Sequence, residues 1–317
     1  MHYRRRRVPL LAIPLLFVVA IAGYLLGYRH APASPAAGLQ KTSRIASGAD
    51  VLIEYPSSWQ HTSSAPTIPG LALTRELALA ADGTHAQAGL ISGQLPAGEP
   101  SPLPAAFRQG LRAVPTTELL DFLGGQAYKY SRLKIADYPS TQTLNLYVIP
   151  NPGNGPTAIG CYAAQTYAAV LSECEQIVAR VTLVGQSQFD LTPDPKYARQ
   201  LGTLIRALDS ERLQLRRRMR ASKSPAALGA LAKALAAKLA AAAAGLSPLE
   251  PPIAAGGAQA ALGSAFLTAE SAYQALGVSA REERVGSYAP DLTRVERAEA
   301  GVDTALESFA LLGYGRS

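Results

Sequence analysis

The chain has 317 residues, a formal net charge of +7 and two cysteines. Divided along the chain, this charge is +5 over residues 1–30, −2 over residues 31–190 and +4 over residues 191–317. Much of the positive excess therefore sits at the N-terminus. A basic balance of this kind describes field and solubility, not a specific ligand, so no nucleic acid is expected as a partner.

The N-terminus combines a basic tail with a long apolar segment. Four arginines, Arg4, Arg5, Arg6 and Arg7, precede residues 8–28, which contain no charged side chain. At about 1.5 Å of rise per residue this segment spans roughly 31 Å, the thickness of a bilayer core. The sequence predicts a transmembrane helix at 8–28 with residues 1–7 as a cytoplasmic tail, because flanking arginines are retained inside. The lipid bilayer is thus an expected partner, and the rest of the chain is expected to be extracytoplasmic.

A cleaved signal peptide is the alternative, because Ala31 and Ala33 are small residues at the spacing that a signal peptidase reads. The apolar cores of signal peptides run about 7–15 residues, which is shorter than this segment and favours the anchor. Residues 29–47 are rich in Ala, Pro, Ser and Gly and predict a flexible linker.

Residues 48–191 predict a mixed region of strands and helices. Apolar residues alternate at Val51, Ile53 and Tyr55, as in a strand with one buried face. Further strand patterns follow, and apolar spacings of three and four residues predict helices near 103–111 and 170–181. The order of these elements favours an α+β fold, an antiparallel sheet covered by helices in an α/β sandwich.

Two segments of this region resemble a known family. Val51–Trp59 (VLIEYPSSW) resembles the opening strand and turn of PsbP/Mog1-like domains, and Cys174–Leu183 (CEQIVARVTL) is similar to their last helix and extended end. The resemblance covers residues 51–183. It implies an α/β sandwich used as an accessory or binding module, with no catalytic residues to carry over.

The two cysteines, Cys161 and Cys174, predict a disulfide, because an even count in an exported segment is normally paired. Cys161 lies in a predicted strand and Cys174 on the apolar face of a predicted helix, so the bond would join helix to sheet. Two buried thiols are the alternative.

Residues 192–317 predict an antiparallel helical bundle or two helical hairpins. Asp194-Pro195 and Ser224-Pro225 are typical helix starts. A third helix is predicted at 258–276, with Gly277 past its end, and a fourth from a capping box at 279–282. The alanine-rich helix at 225–244 predicts close helix packing, or else a helix that docks onto a partner.

One helix face is a candidate binding site. Arg212, Arg216 and Arg220 recur at spacings of four residues, and Arg217 broadens the cationic face. It would suit an anionic partner such as phospholipid headgroups or an anionic cell-wall polymer. The alternative is a solvated face whose charge complements the C-terminal dipole of its helix.

Catalytic spacing is missing from the sequence. The histidines at 2, 30, 61 and 85 have no ligand pattern, and no phosphate loop or nucleophile elbow is found, so no catalytic residue, metal or cofactor is predicted. We expect a single-pass bacterial envelope protein with a non-catalytic binding or scaffolding role, whose partner is an envelope protein or an anionic polymer. The alternative is an extracytoplasmic hydrolase or transferase whose cleft is lined by the tyrosines of the α/β region, at positions 128, 130, 138, 147, 162 and 167.

Overall fold

A computed structural model of the protein describes residues 43–151, 155–185, 190–282 and 285–315. The predicted cytoplasmic tail, the predicted transmembrane helix and most of the predicted linker lie outside these residues. The described residues from Arg44 onward belong to one compact unit.

Two antiparallel sheets form the α/β region. The strands are β1 Ser43–Gly48, β2 Val51–Pro56, β3 Gln60–His61, β4 Thr74–Ala80, β5 Ala88–Gln94, β6 Thr117–Phe122, β7 Gly125–Tyr130, β8 Gln142–Ile149, β9 Thr157–Ala164 and β10 Thr182–Leu183. The larger sheet has the order β3-β4-β5-β9-β8-β7-β6, and the smaller has the order β1-β2-β10. Two helices belong to this region, α1 Ala105–Gly110 and α2 Val170–Val178.

The small sheet begins inside the predicted linker. β1 occupies residues 43–48, although the linker was expected to continue to residue 47. Ala49 has a φ of 52°, and together with Asp50 it reverses the chain so that β1 lies beside β2. The composition of residues 43–48 does not predict this strand, because β1 is stabilised by its pairing with β2.

One face of the large sheet packs on the small sheet and on α2. Val51, Ile53 and Trp59 meet Leu79 and Ile177 in this core, and all five are almost completely buried. The other face belongs to a second core, which continues into the C-terminal helices.

Four long helices form the C-terminal helical region. They are α3 Pro195–Ala221, α4 Pro225–Leu246, α5 Gly256–Arg281 and α6 Val285–Leu311. Each packs against the next, and short connections make neighbours antiparallel. The first two start as the sequence predicts: Asp194 accepts a hydrogen bond from the Tyr197 amide at 2.6 Å, and Ser224 accepts one from Ala227 at 3.4 Å.

The third helix extends past its predicted end. Gly277 lies inside α5, which continues to Arg281, and its backbone lies against Gly229 of α4. A Cβ atom added at Gly229 would be 2.8 Å from the Gly277 carbonyl oxygen. This glycine therefore permits close helix approach instead of ending the helix.

Among the described residues, α4 is the one helix long and apolar enough to cross a membrane by length and composition alone. Buried helices of globular domains pass the same test. In this structure α4 packs between α3 and α5, and Leu235 and Leu239 are fully buried.

Hydrogen bonds join the helical region to the sheet. The Tyr130 hydroxyl donates to the Leu311 carbonyl at 2.7 Å, and Thr117 Oγ1 donates to the Ala310 carbonyl at 3.1 Å. The structure confirms the α+β class, with antiparallel sheets followed by a helical region.

Candidate functional site

A buried ion cluster lies in the middle of the helical region. The guanidinium of Arg212 on α3 pairs with the carboxylate of Glu299 on α6, and each side chain is only 6% exposed. The Tyr273 hydroxyl of α5 donates to Glu299 Oε1 at 2.7 Å. Arg212 Nη1 also donates to Asp209 at 3.1 Å, and Arg216 Nη1 lies 3.5 Å from Glu299 Oε2. Three helices are thus joined through one carboxylate.

The pKa shifts in this cluster are those of side chains that stabilise the fold. Burial opposes the charge of Arg212, but the hydrogen bond and charge of Glu299, with Asp303 and Asp209, keep its pKa above the ordinary value. Burial, and then the charge of Glu299, raise the pKa of Tyr273, which stays a neutral donor. Glu299 therefore has donors on both oxygens, and the cluster offers no free acid or base.

Arg212 is therefore buried and not open to an anionic partner, which corrects the prediction for this residue. It shares the helical spacing of Arg216 and Arg220, but the helices cover α3 at Arg212 and leave its last turns open. The four-residue spacing predicts a shared face, yet it does not reveal how far along that face a neighbouring helix extends. The carboxylate that captures Arg212 comes from a helix 87 residues away, so no local signal identifies it.

The cationic residues that remain at the surface lie at the C-terminal end of α3. Arg217 and Arg220 are exposed, as predicted for the face, and Arg216 is half-buried beside Glu299. The neighbouring Arg218 and Lys223 are exposed as well. We call Arg216, Arg217, Arg218, Arg220 and Lys223 the basic end. Arg216 lies about 28 Å along α3 from Tyr197, which packs near the sheet.

A cleft of about 380 Å³ opens beside the basic end. Arg216 and Arg220 form one rim, and the exposed Glu296 of α6 lies on the other. Its floor is apolar and includes Leu228 and Leu276. Ser222 also lines this cleft, and its hydroxyl donates to the Ser224 carbonyl at 3.2 Å.

A larger cavity lies elsewhere, at the start of α3, with a volume of about 680 Å³. Five prolines line it, at positions 193, 195, 248, 251 and 252. Its central polar groups already have partners, because Asp194 caps α3 and the Tyr197 hydroxyl donates to Gln259 at 2.8 Å. The exposed cations of the basic end, in contrast, make no such internal contacts among the described residues.

Five of the six tyrosines of the α/β region are buried, at positions 128, 130, 138, 147 and 162, and Tyr167 is partly exposed. Tyr130 bonds the Leu311 carbonyl, and Tyr147 donates to Glu175 at 3.2 Å. Tyr138 and Tyr162 are buried with hydroxyls that have no hydrogen-bond partner among the described residues. Tyr128 borders only a loop-lined cavity of about 250 Å³.

The histidines of the described residues are apart from one another and from any acid cluster. His61 Nε2 lies 3.2 Å from the Tyr55 hydroxyl, and His85 is an exposed turn residue with a φ of 49°. Within the described residues, no group of three histidine, cysteine, aspartate or glutamate side chains could hold a metal ion.

The predicted disulfide is confirmed. Cys161 of β9 and Cys174 of α2 are bonded, with Cα atoms 5.9 Å apart, and both residues are fully buried. The bond fastens α2 to the centre of the large sheet, beside Val178 in the core. The arginines predicted to set the membrane topology, Arg4, Arg5, Arg6 and Arg7, lie outside the described residues.

Comparison with known proteins gives a weak structural resemblance. No family model matches the chain, and no curated protein matches it. Among solved structures the chain is similar to cyanobacterial PsbP (CyanoP) from Synechocystis sp. PCC 6803, with 16% identity and a TM-score of 0.29. The match covers 48% of this chain and 99% of that chain. The chain thus has a weak PsbP-like resemblance, which is too loose to support an inference about function.

Proposed function

We propose that this protein is a membrane-anchored, extracytoplasmic binding or scaffolding protein of the bacterial cell envelope. Residues 8–28 form its single transmembrane helix, Arg4–Arg7 hold the N-terminus in the cytoplasm, and the basic end engages an anionic partner. In this proposal the α/β region is a sandwich that carries the helical bundle, and no catalytic step is assigned to either.

The observation that carries the proposal is the unequal use of arginines along α3. Arg212 forms ion pairs with Glu299, Asp209 and Asp303. In contrast, Arg217, Arg218 and Arg220 are exposed and have no ion pair among the described residues. Exposed like charges repel one another, so their concentration on one helix end lowers stability slightly and favours an anion nearby. The helix C-terminal dipole compensates only part of this repulsion.

The disulfide supports the compartment. Disulfides persist in the oxidising space outside the cytoplasmic membrane and are rare inside it. External protease added to spheroplasts should therefore degrade residues 29–317. Arg4–Arg7 and the predicted span should be protected. A chain recovered soluble from the cytoplasm, or one that protease reaches only after lysis, would contradict the proposed location.

Binding by the basic end is tested with the full chain in neutral phosphatidylcholine nanodiscs and poly(glycerol phosphate) as the anionic probe. Reversing two charges, in Arg217→Glu with Arg220→Glu, should weaken binding by about tenfold or more, because like charges then oppose the polymer. The native interaction should also weaken with added salt.

A matched control reverses two charges at the other end of the same helix. Lys196→Glu with Arg199→Glu produces the same change in net charge at exposed positions. This variant should bind within about twofold of the native chain, because its sites lie farther from the basic end than a screening length of about 8–10 Å. Equal losses in both variants would show a general charge effect and would refute a site at the basic end.

A further inference from the structure

The small sheet carries an exposed apolar patch on its outer face. Its residues are Ile45, Leu52 and Val184, with Leu123 at the adjoining turn, and they are 70%, 37%, 50% and 78% exposed. Side chains in a strand alternate between faces. Ala46 packs on the core and Val51 and Ile53 are buried, so Ile45 and Leu52 point outward.

Backbone pairing places these residues close together. Leu52 lies opposite Thr182, and the Val184 amide donates to the Asp50 carbonyl at 2.9 Å. The Leu123 amide donates to the Ala179 carbonyl, just before β10. In the sheet order β1-β2-β10, Leu52 lies on the central strand, between the strand that carries Ile45 and the strand that Val184 directly follows. The other large exposed apolar residues, such as Val114 and Leu267, lie on separate elements.

The position of the patch in the chain indicates what covers it. β1 begins at Ser43, and 14 residues, 29–42, separate it from the predicted span. Even fully extended at about 3.6 Å per residue, this segment reaches only roughly 50 Å. A surface tethered this closely meets the bilayer at a high effective concentration, so weak apolar contacts suffice to hold it there.

The charges around the patch are mixed. Arg180, two residues before β10, is exposed and follows Ala179, whose carbonyl accepts from the Leu123 amide, whereas Glu54 lies two residues from Leu52 on the same face of β2. Aliphatic side chains with an exposed arginine at their edge are typical of segments that lie on an anionic lipid surface.

We propose that the outer face of the small sheet rests on the lipid bilayer through Ile45, Leu52, Leu123 and Val184. This orientation rests on the proposed membrane anchor and adds which side of the folded part faces the lipid. The basic end lies on α3, outside this patch, and its proposed anionic partner is separate from the bilayer contact.

The test is photo-crosslinking in the full chain, reconstituted in vesicles of phosphatidylethanolamine and phosphatidylglycerol. A diazirine-bearing side chain replaces Leu52, the exposed Leu267 of α5 as control, or Leu16 within the predicted span. Lipid adducts at Leu52 should exceed those at Leu267 by about tenfold, the ratio that 1.4 kcal/mol of preference produces. Leu16 should form adducts at the highest yield.

The outcomes separate the orientation from the anchor. Adducts at Leu16 with equal, low yields at Leu52 and Leu267 would overturn the orientation and leave the anchor intact. No adducts at Leu16 would overturn the anchor and with it the orientation. Dimeric protein adducts at Leu52, without lipid adducts, would assign the patch to a second copy and also overturn the proposal.

A second variant avoids dependence on a single probe position. Leu123→Glu places a charge on an exposed turn and should leave the fold intact, as shown by an unchanged Trp59 emission. With the probe at Leu52, this charge should lower lipid adducts severalfold, because the patch must then bury a carboxylate at the interface. Unchanged adducts would exclude Leu123 from the contact and contradict the patch as defined.

Discussion

The α/β region and the helical region are stabilised by different kinds of side chain and different cross-links. The sheet buries large side chains such as Trp59 and Tyr147 and fixes α2 with a disulfide. The helices bury many alanines and approach closely at glycines. Glu299 of α6 joins α3 and α5 through its contacts with Arg212 and Tyr273. A covalent link tolerates loss of neighbouring contacts, whereas a buried ion cluster fails as a whole when one member is removed.

The largest effect is expected from Glu299→Ala, which removes the centre of the ion cluster. Arg212 would remain buried with only partial compensation, and breaking a buried pair of this kind costs about 3–5 kcal/mol. Urea denaturation of the full chain in micelles, followed by far-ultraviolet circular dichroism, measures the change. Glu296→Ala is the control on the same helix: its side chain is exposed, so a change within about 0.5 kcal/mol is expected. Similar losses in both variants would contradict a buried cluster.

The disulfide should have the next largest effect. Replacing both Cys161 and Cys174 by Ala should lower the free energy of unfolding by about 3 kcal/mol, since the bond closes a 13-residue separation. Trp59, the single tryptophan, reports the α/β region through its fluorescence, and circular dichroism reports mainly the helices. The two transitions should shift together because one core joins both regions. Separate midpoints would show that the regions unfold independently.

A smaller change in the free energy of unfolding is expected when two glycines of the helical region are replaced by alanine. The two substitutions should act in opposite directions. Gly229→Ala should destabilise by about 1–3 kcal/mol, because its Cβ would lie 2.8 Å from a backbone oxygen of α5. Gly301→Ala on α6 meets nothing within 4 Å and should stabilise by about 0.5–1 kcal/mol through helix propensity. Thermal melts of both variants measure the difference. A stabilising Gly229→Ala would show that α4 and α5 are not in close contact there.

The smallest effect at neutral pH is expected from Tyr162→Phe in the sheet. Its hydroxyl is buried with no partner among the described residues, so removing it should be neutral or stabilise by up to about 1 kcal/mol.

At alkaline pH the same variant becomes informative. Burial raises the pKa of Tyr162 to about 12, so the folded protein keeps this proton to higher pH than the unfolded chain. Its contribution to stability is complete below about pH 10 and is lost between about pH 10 and 12, at about 1.4 kcal/mol per pH unit. Tyr162→Phe should make the fall in stability shallower by that slope. An unchanged slope, measured by urea denaturation at several pH values, would show that the hydroxyl is solvated.

Features with a local cause could be predicted from the sequence. Asp194-Pro195 and Ser224-Pro225 start helices because cap and first helical residue are neighbours in the chain, and the pairing of Cys161 with Cys174 follows from having only two cysteines. The strands followed from two-residue apolar periods, and the antiparallel sheet from the order of strands and helices along the chain.

Features that depend on distant partners could not be predicted. Gly277 has the local pattern of a helix end, but its contact with Gly229 gives it a place inside α5. Arg212 has the same spacing signal as Arg216 and Arg220, and only the approach of Glu299 from α6 buries it. Sequence periodicity describes one helix at a time, so it identified a cationic face but not the part of that face that a second helix covers.

The hydrogen bond from Tyr130 to the Leu311 carbonyl has a consequence for the order of folding. The two residues are 181 positions apart, and the bond lies where the helices cover one face of the large sheet. During synthesis, β7 is therefore complete long before the segment that covers it exists. Loop closure over such a separation is slow, and an apolar sheet face left open in the meantime is prone to aggregation. We expect the emerging chain to need protection by a chaperone until α6 has been made, whichever compartment it folds in.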